Sequence, residues 1–201
     1  MTEPVTFYFV RHGESEANAA HRFAGRSDSP LTPLGRQQAE TVADALAHLD
    51  VDRIVSSPLS RCRDTALAIA RRHELPVDIE PDLAEIDVGE KTGMPFDEVR
   101  GLPEWRDDGF VAWPNGETLE AVLSRAHGVI TRIAAESAGQ RVLVVGHGGV
   151  TRILMSHFLG LLPQLDSSPA TNTNVSVVVS DGVTHRVVHL FQSAAALGTA
   201  G

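Results

Sequence analysis

"FYFVRHGESEAN", residues 7–18, runs from an almost unbroken apolar stretch straight into Arg11, His12 and Glu14. A segment that apolar must be buried, and polar groups at its end are costly to desolvate unless they find a partner. Either the cation, the imidazole and the carboxylate satisfy one another, or they await a ligand. The run itself, "VTFYFV" (5–10), is β-rich and apolar on both faces, and "RIVSS" (53–57) and "RVLVVG" (141–146) repeat the pattern. Runs of this kind read as parallel strands covered by helices on both sides. "VSVVVSD" (175–181) and "HRVVHLF" (185–191) read as an antiparallel pair at one edge.

Helical patterns lie between them. Thr32 followed by Pro33 is an N-cap with proline at the first helical position, and Leu34, Ala39, Val42, Ala43, Leu46 and Leu49 then keep helical spacing. Leu119, Val122, Leu123, Ala126, Ile130 and Ile133 do the same, and shorter helices fit 60–72 and 149–160. Alternating strands and helices predict an α/β fold, a three-layer α/β/α sandwich with a mostly parallel central sheet. Residues 1–192 read as one domain, with the tail "SAAALGTAG" (193–201) expected to fray.

The 201 residues, 42% hydrophobic and 21% charged, suit a globular protein with a substantial core. "MTEPVTF" has no basic stretch leading into an apolar one, so no signal peptide is expected, and the location expected is cytoplasmic. A single cysteine, Cys62, leaves no internal disulfide. A net charge of −9 makes nucleic acid and anionic membranes poor partners. Any anionic ligand must therefore be gripped by a local cluster of cations.

Ligands of open parallel sheets bind beyond the carboxyl ends of the strands. Arg11 and His12 follow the first strand, His147 in "GHGG" follows the strand at 141–146, and Arg61 lies just beyond "RIVSS". Guanidinium forks and the N–H groups of the helix starting after Gly148 suit a phosphate. An imidazole between two guanidiniums stays neutral and is a nucleophile toward phosphorus, and a second can stabilise developing charge. The leaving oxygen then needs a proton, and "LAEIDVGE" (83–90) offers Glu85, Asp87 and Glu90. A carboxyl beside a phosphate dianion holds its proton toward neutral pH. Glu14 is open to a supporting role on His12 or Arg61. His12, His147 and Glu85 also fit a two-histidine, one-carboxylate metal site, although two arginines would repel the metal.

These residues resemble branch 1 of the histidine phosphatase superfamily, the phosphoglycerate mutase-like group that includes alpha-ribazole phosphatase and broad-specificity small phosphatases. The resemblance rests on "RHGESEAN", "LTPLGRQQA", "SSPLSRCRDTA", "LAEIDVGEKTG", "NGETLEAVLSRA" and "VVGHGGVTR", six blocks in order along nearly the whole chain. It implies a metal-independent phosphomonoesterase of the histidine acid phosphatase type, with no cofactor. His12 would be the phosphorylated nucleophile and Glu85 the acid and then the base. Arg11, Asn18, Gly25, Arg61, His147 and Gly148 would bind the substrate phosphate. Homodimerisation is expected from the resemblance alone.

Departures from the mutases point toward hydrolysis. Ala17, Ala24, Val88 and Gly149 stand where a mutase has tryptophan, threonine, tyrosine and asparagine. The mutase insert with its lysine and paired arginines is missing, and Arg100 and Arg106 are not adjacent. A phosphoglycerate mutase is the alternative, and a non-catalytic phosphate-binding module on the same fold is the alternative of another class. His48, His73, His127, His157, His185 and His189 read as surface or packed residues. Cys62 lacks the arginine that a cysteine phosphatase needs six positions on, where Ala68 stands.

Overall fold

The structure is a computed structural model that describes residues 3–106, 110 and 113–197. Six strands form one sheet: β1 (Val5–Arg11), β2 (Arg53–Ser56), β3 (Val77–Ile79), β4 (Arg141–Gly146), β5 (Val175–Ser180) and β6 (His185–Gln192). Their order is β3-β2-β4-β1-β5-β6, with β3, β2, β4 and β1 mutually parallel and β5 and β6 antiparallel at the other edge. The helices are α1 (Glu16–Ala19), α2 (Pro33–Leu46), α3 (Ser60–His73), α4 (Phe96–Arg100), α5 (Leu119–Glu136), α6 (Gly148–Phe158) and α7 (Ala194–Leu197).

The middle of β4 shows why the chain makes three layers. Side chains alternate across a strand. Val142 and Val144 join a core with Phe7 and Phe9 of β1, Ile130 and Ile133 of α5 and Ile153 and Leu154 of α6. Leu143 and Val145 join a second core with Val10, Ala43 and Leu46 of α2 and Ala66 and Ile69 of α3. A strand apolar on both faces needs both cores, so the sandwich expected from sequence is the one observed.

The parallel strands end level. Arg11 pairs with Gly146 and Ser56 with Val145. The chain leaving each strand therefore delivers His12, Ser57 and His147 to one edge, with the His12 N–H donating to the Gly146 carbonyl at 3.1 Å.

The structure adds to the sequence reading in three places. Strand β3 has only three residues, two of them exposed, so it carries no readable alternation. Leu34 kept the helical spacing yet is 50% exposed, because the apolar face of α2 begins at Gly35 and Ala39. The tail expected to fray instead opens with α7, whose Ala194 is buried against the α2 and α3 side. Residues 198–201 of that tail lie outside the described residues.

Two glycines fix how α2 meets the loop after β1. A methyl group on Gly35 would lie 1.9 Å from the Glu14 carbonyl oxygen, and one on Gly13 would lie 2.3 Å from the Gly35 carbonyl oxygen. Backbone meets backbone there, and neither can yield. Thr32 completes the joint. Its hydroxyl accepts from the Gly35 N–H at 2.9 Å and donates to the Glu14 carboxylate at 2.7 Å. Gly128, exposed in the middle of α5, would place a methyl group in open space. The two glycines should therefore respond to alanine with opposite signs. In urea unfolding, Gly35→Ala should lose about 1–3 kcal/mol through overpacking. Gly128→Ala should gain about 0.5–1 kcal/mol from helix propensity. A neutral or stabilising Gly35→Ala would show that this joint is not close-packed.

Candidate active site

Arg61, the second residue of α3, is only 2% exposed. Its guanidinium donates to two carbonyls of one loop, Gly25 at 2.9 Å and Ser27 at 3.0 Å. Asp28 ties that loop to the start of α3 by accepting from the Ser60 N–H (3.0 Å) and hydroxyl (2.7 Å). Gly25 has φ +52°, a left-handed conformation natural to glycine, and so turns its carbonyl to Arg61. Arg11, at the end of β1, donates through Nη1 to the Ala170 carbonyl. Its Nε is buried with no hydrogen-bond partner among the described residues.

Between these cations lies His12, 3% exposed. Its Nδ1 is 2.6 Å from the Gly13 carbonyl oxygen. A carbonyl can only accept, so Nδ1 carries the proton and Nε2 keeps the lone pair. Burial, then Arg11, then Arg61 hold this imidazole well below the usual histidine pKa. His147 lies one layer deeper and is wholly buried. Its ring meets His12 edge-on, with centroids 5.3 Å apart, and its Nε2 is 2.7 Å from the Ser57 hydroxyl. Burial, His12 and Arg61 push its pKa far down as well.

Glu85 reaches the site by capping α6. His147 is the N-cap of that helix and offers no side-chain cap. The Glu85 carboxylate supplies one, accepting from Gly149 (3.3 Å) and Val150 (3.2 Å) besides its neighbour Ile86 (2.9 Å). Of the three orphan N–H groups of the first turn, only that of Gly148 has no partner among the described residues. The helix start thus presents one N–H to a ligand, fewer than the sequence suggested. The other acids point elsewhere. Asp87 accepts from the Gly89 N–H, Glu90 from the Asn115 side chain, and Glu14 from Thr32 rather than supporting His12 or Arg61.

Arg11, His12, Asn18, Gly25, Arg61, Glu85 and Gly148 line one cavity of about 290 Å³. Asn18 Oδ1 accepts from the Ser15 N–H and the Asn172 side chain, which leaves the Asn18 amide hydrogens as donors on the cavity wall. Among the described residues, no three His, Cys, Asp or Glu side chains are grouped to hold a metal.

Several residues of this site escaped the sequence reading. Thr65 holds the loop after β1, accepting from the Gly13 N–H at 3.1 Å and donating to the Arg61 carbonyl at 2.8 Å. Arg125 donates to the carbonyls of Asp82, Ala84 and Glu85 and forms a two-point pair with Glu117. Glu117 in turn accepts from the Asp87 N–H at 2.9 Å and from Arg26 at 2.7 Å. This network fixes the segment carrying Glu85. Arg152 also lines the cavity, donating to the Ser168 carbonyl at 3.1 Å. Thr65, Glu117, Arg125 and Arg152 all lie inside the quoted sequence blocks, and that was their signal. Asn172, which donates to the His12 carbonyl at 2.9 Å, lies in a stretch that carried none.

The two depressed imidazoles link stability to pH. Below about pH 6.5 the unfolded chain takes up protons at His12 and His147 that the folded chain refuses. Their contribution is complete above that pH and is lost as pH falls, at up to about 1.4 kcal/mol per pH unit for each. Stability from urea unfolding should therefore drop between pH 7 and 5, and the slope should be shallower in His12→Asn. An identical slope in the variant would place the proton uptake elsewhere.

Over residues 7–193 the sequence matches the histidine phosphatase superfamily (branch 1). It is 36% identical over 166 residues to the probable phosphoglycerate mutase GpmB of Cronobacter sakazakii, covering 77% of this chain and 74% of that one. It is 34% identical over 158 residues to the adenosylcobalamin/alpha-ribazole phosphatase of Salmonella typhimurium, covering 76% and 78%. Among solved structures, Bacillus stearothermophilus YhfR superposes with a TM-score of 0.85 at 30% identity, over 94% of this chain and 97% of that one. With a match this long, a parallel sheet ending level at Arg11 and His12, and relatives that include phosphatases, the chain belongs to branch 1 of the histidine phosphatase superfamily.

Proposed function

We propose that this protein hydrolyses small phosphomonoesters without a metal, through a phosphohistidine on His12. The observation that carries the reading is the state of that ring. It is neutral, with Nδ1 pinned to the Gly13 carbonyl at 2.6 Å and the Nε2 lone pair left free, beside two guanidiniums that would balance a phosphoryl group. Arg11 Nε, the Gly148 N–H and the Asn18 amide are donors without a full set of partners on the same wall.

In the first step Nε2 attacks phosphorus and the bond from phosphorus to the leaving oxygen breaks. That oxygen takes the proton of Glu85. Glu85 Oε2 has a single N–H partner, at 3.3 Å, so it is the oxygen with room for the proton. In the second step the Glu85 carboxylate removes a proton from water, and the water oxygen adds to phosphorus. The bond from phosphorus to Nε2 breaks, the lone pair returns to His12, and phosphate leaves. Fixed donors around the transferring group act without reorganising. The Arg125–Glu117 pair would keep Glu85 in reach through both steps.

Removing the acid should matter in proportion to the leaving group's need for a proton. Glu85→Gln should slow alkyl phosphates by roughly 10²–10⁴-fold and p-nitrophenyl phosphate far less. Equal losses on both esters would remove Glu85 from this role.

Quenching turnover with an alkaline denaturant tests the intermediate itself. A phosphoenzyme that is stable to alkali and labile to acid should be trapped, and His12→Ala should abolish it. With 3-phosphoglycerate the product should be inorganic phosphate, with little 2-phosphoglycerate even when 2,3-bisphosphoglycerate is present. Rapid interconversion dependent on the bisphosphate would make the protein a mutase and leave His12 in place.

A further inference from the structure

Half of this chain's aromatic residues line a single cavity. The chain has seven Phe, two Trp and one Tyr. Five of them, Phe23, Phe96, Phe110 and both tryptophans, Trp105 and Trp113, face the cavity that holds His12. Both hydrophobic cores are built mainly from Val, Ile, Leu and Ala, and Phe23, Phe110 and Trp113 pack against the first of them while also facing the cavity.

The five rings form one connected wall. Phe23 is its hub, edge-on to Phe96 (centroids 4.7 Å apart) and Trp113 (5.4 Å) and tilted against Trp105 (6.3 Å), while Phe110 meets Trp113 edge-on at 6.4 Å. Backbone bonds hold the segments together. Phe23 N–H donates to the Met94 carbonyl at 3.0 Å, and Phe23 O accepts from Gly93 at 2.7 Å. The wall starts where the phosphate end stops. Phe23 is two residues before Gly25, whose carbonyl holds Arg61, and Val88, three residues after Glu85, also lines it. The wall thus shares the cavity with Glu85, the group that would protonate the leaving oxygen, and Val88 abuts Gly25 at the junction. The indole N–H of Trp113 is buried without a partner among the described residues, so the wall also offers a donor.

A polyhydroxylated or carboxylated leaving group would lose hydration against this wall and gain few hydrogen bonds. Two further arginines of the lining are already engaged with the protein. Arg152 donates to the Ser168 carbonyl, with Asp166 and Glu85 nearby, and Arg22 donates to the Gly93 carbonyl at 2.6 Å. A flat apolar ring gains area burial and edge or face contacts with each aromatic it meets.

We propose that the leaving group is an aromatic ring system carried on an alcohol, so that the substrates are phosphomonoesters of ring-bearing alcohols, because five of the ten aromatic side chains wall the cavity that His12 shares with Glu85. This rests on the phosphatase reading above. Two measurements separate its failure from the failure of that reading. The first compares kcat/KM for 2-naphthylethyl phosphate with that for glycerol 3-phosphate and 3-phosphoglycerate. All three are alkyl esters, so departure of the leaving group is comparably difficult. The ring ester should be preferred by roughly tenfold or more, mainly through KM. Phe23→Leu and Trp113→Leu should each shrink that ratio severalfold. Glycerol 3-phosphate or 3-phosphoglycerate turned over as efficiently as the ring ester would overturn the ring assignment and leave the phosphatase standing.

The second measurement needs no turnover. Both tryptophans lie in the cavity wall, so their fluorescence reports binding of phosphonates, which cannot be hydrolysed. 2-Naphthylmethylphosphonate should quench it with a Kd at least tenfold below that of methylphosphonate. Equal affinities would overturn the ring assignment. A catalytically silent protein that still showed the tenfold difference would sustain it and overturn the hydrolysis reading instead.

Discussion

Two guanidiniums and two imidazoles are buried together at the end of a parallel sheet, and much of the surrounding chain is arranged to make that tolerable. Neighbouring like charges in a poorly solvated site repel, and each has surrendered hydration. Backbone carbonyls answer the cost. Gly25 and Ser27 accept from Arg61, Ala170 accepts from Arg11, and Gly13 accepts from His12. The loop at 25–28 and the segment around 168–172 thus have conformations set by their carbonyls, which must face inward. The imidazoles respond in the other direction and give up their charge. The result is a region of positive potential around an uncharged base, which suits a phosphoryl group better than it suits a metal ion.

The glycines near the site serve the same constraint from outside. Gly13 and Gly35 let α2 approach the loop after β1 until backbone touches backbone. That contact fixes the loop carrying His12, with Thr32 and Glu14 closing the joint. The Arg-His-Gly-Glu tetrapeptide therefore divides its labour. Arg11 and His12 face the cavity, and Gly13 and Glu14 dock a helix. An acid two residues after His12 invites a chemical role, but here the geometry gives Glu14 a structural one.

Much of this was legible in the sequence, and the physics says why. Val142 to Val145 are apolar at every position, and only a strand covered on both faces uses such a run. Level strand ends then bring Arg11, His12 and His147 together, as the order of elements implied. What escaped has two physical sources. Short elements carry too few residues for a period to show, as with β3 and α7. Contacts made through carbonyls leave almost no trace in residue type, since every residue has a carbonyl. Ala170 and Gly25 anchor arginines by backbone alone. The depth of His147 could not be read either, because it depends on Ser57 and on packing beneath His12. Glu85 could be narrowed from three acids only by resemblance. The structure separates them by their partners, since Asp87 accepts within its own turn and Glu90 accepts from the Asn115 side chain.

Glu85 links the fold to the chemistry most directly. Its carboxylate is the cap of α6, the helix whose first residues follow His147. On the proposed mechanism the same carboxyl gives up and regains a proton in every cycle. A protonated carboxyl is a poorer acceptor, so the cap weakens when the acid is loaded and strengthens when it has fired. The Gly148 N–H, which Glu85 does not take, stays available to the phosphoryl oxygens throughout. Arg125 and Glu117 hold the chain on either side of that carboxyl, Arg125 by donating to the carbonyls of Asp82, Ala84 and Glu85 and Glu117 by accepting from Arg125 and from the Asp87 N–H. The backbone of this segment is thus held by one set of groups, and its carboxylate holds the start of α6.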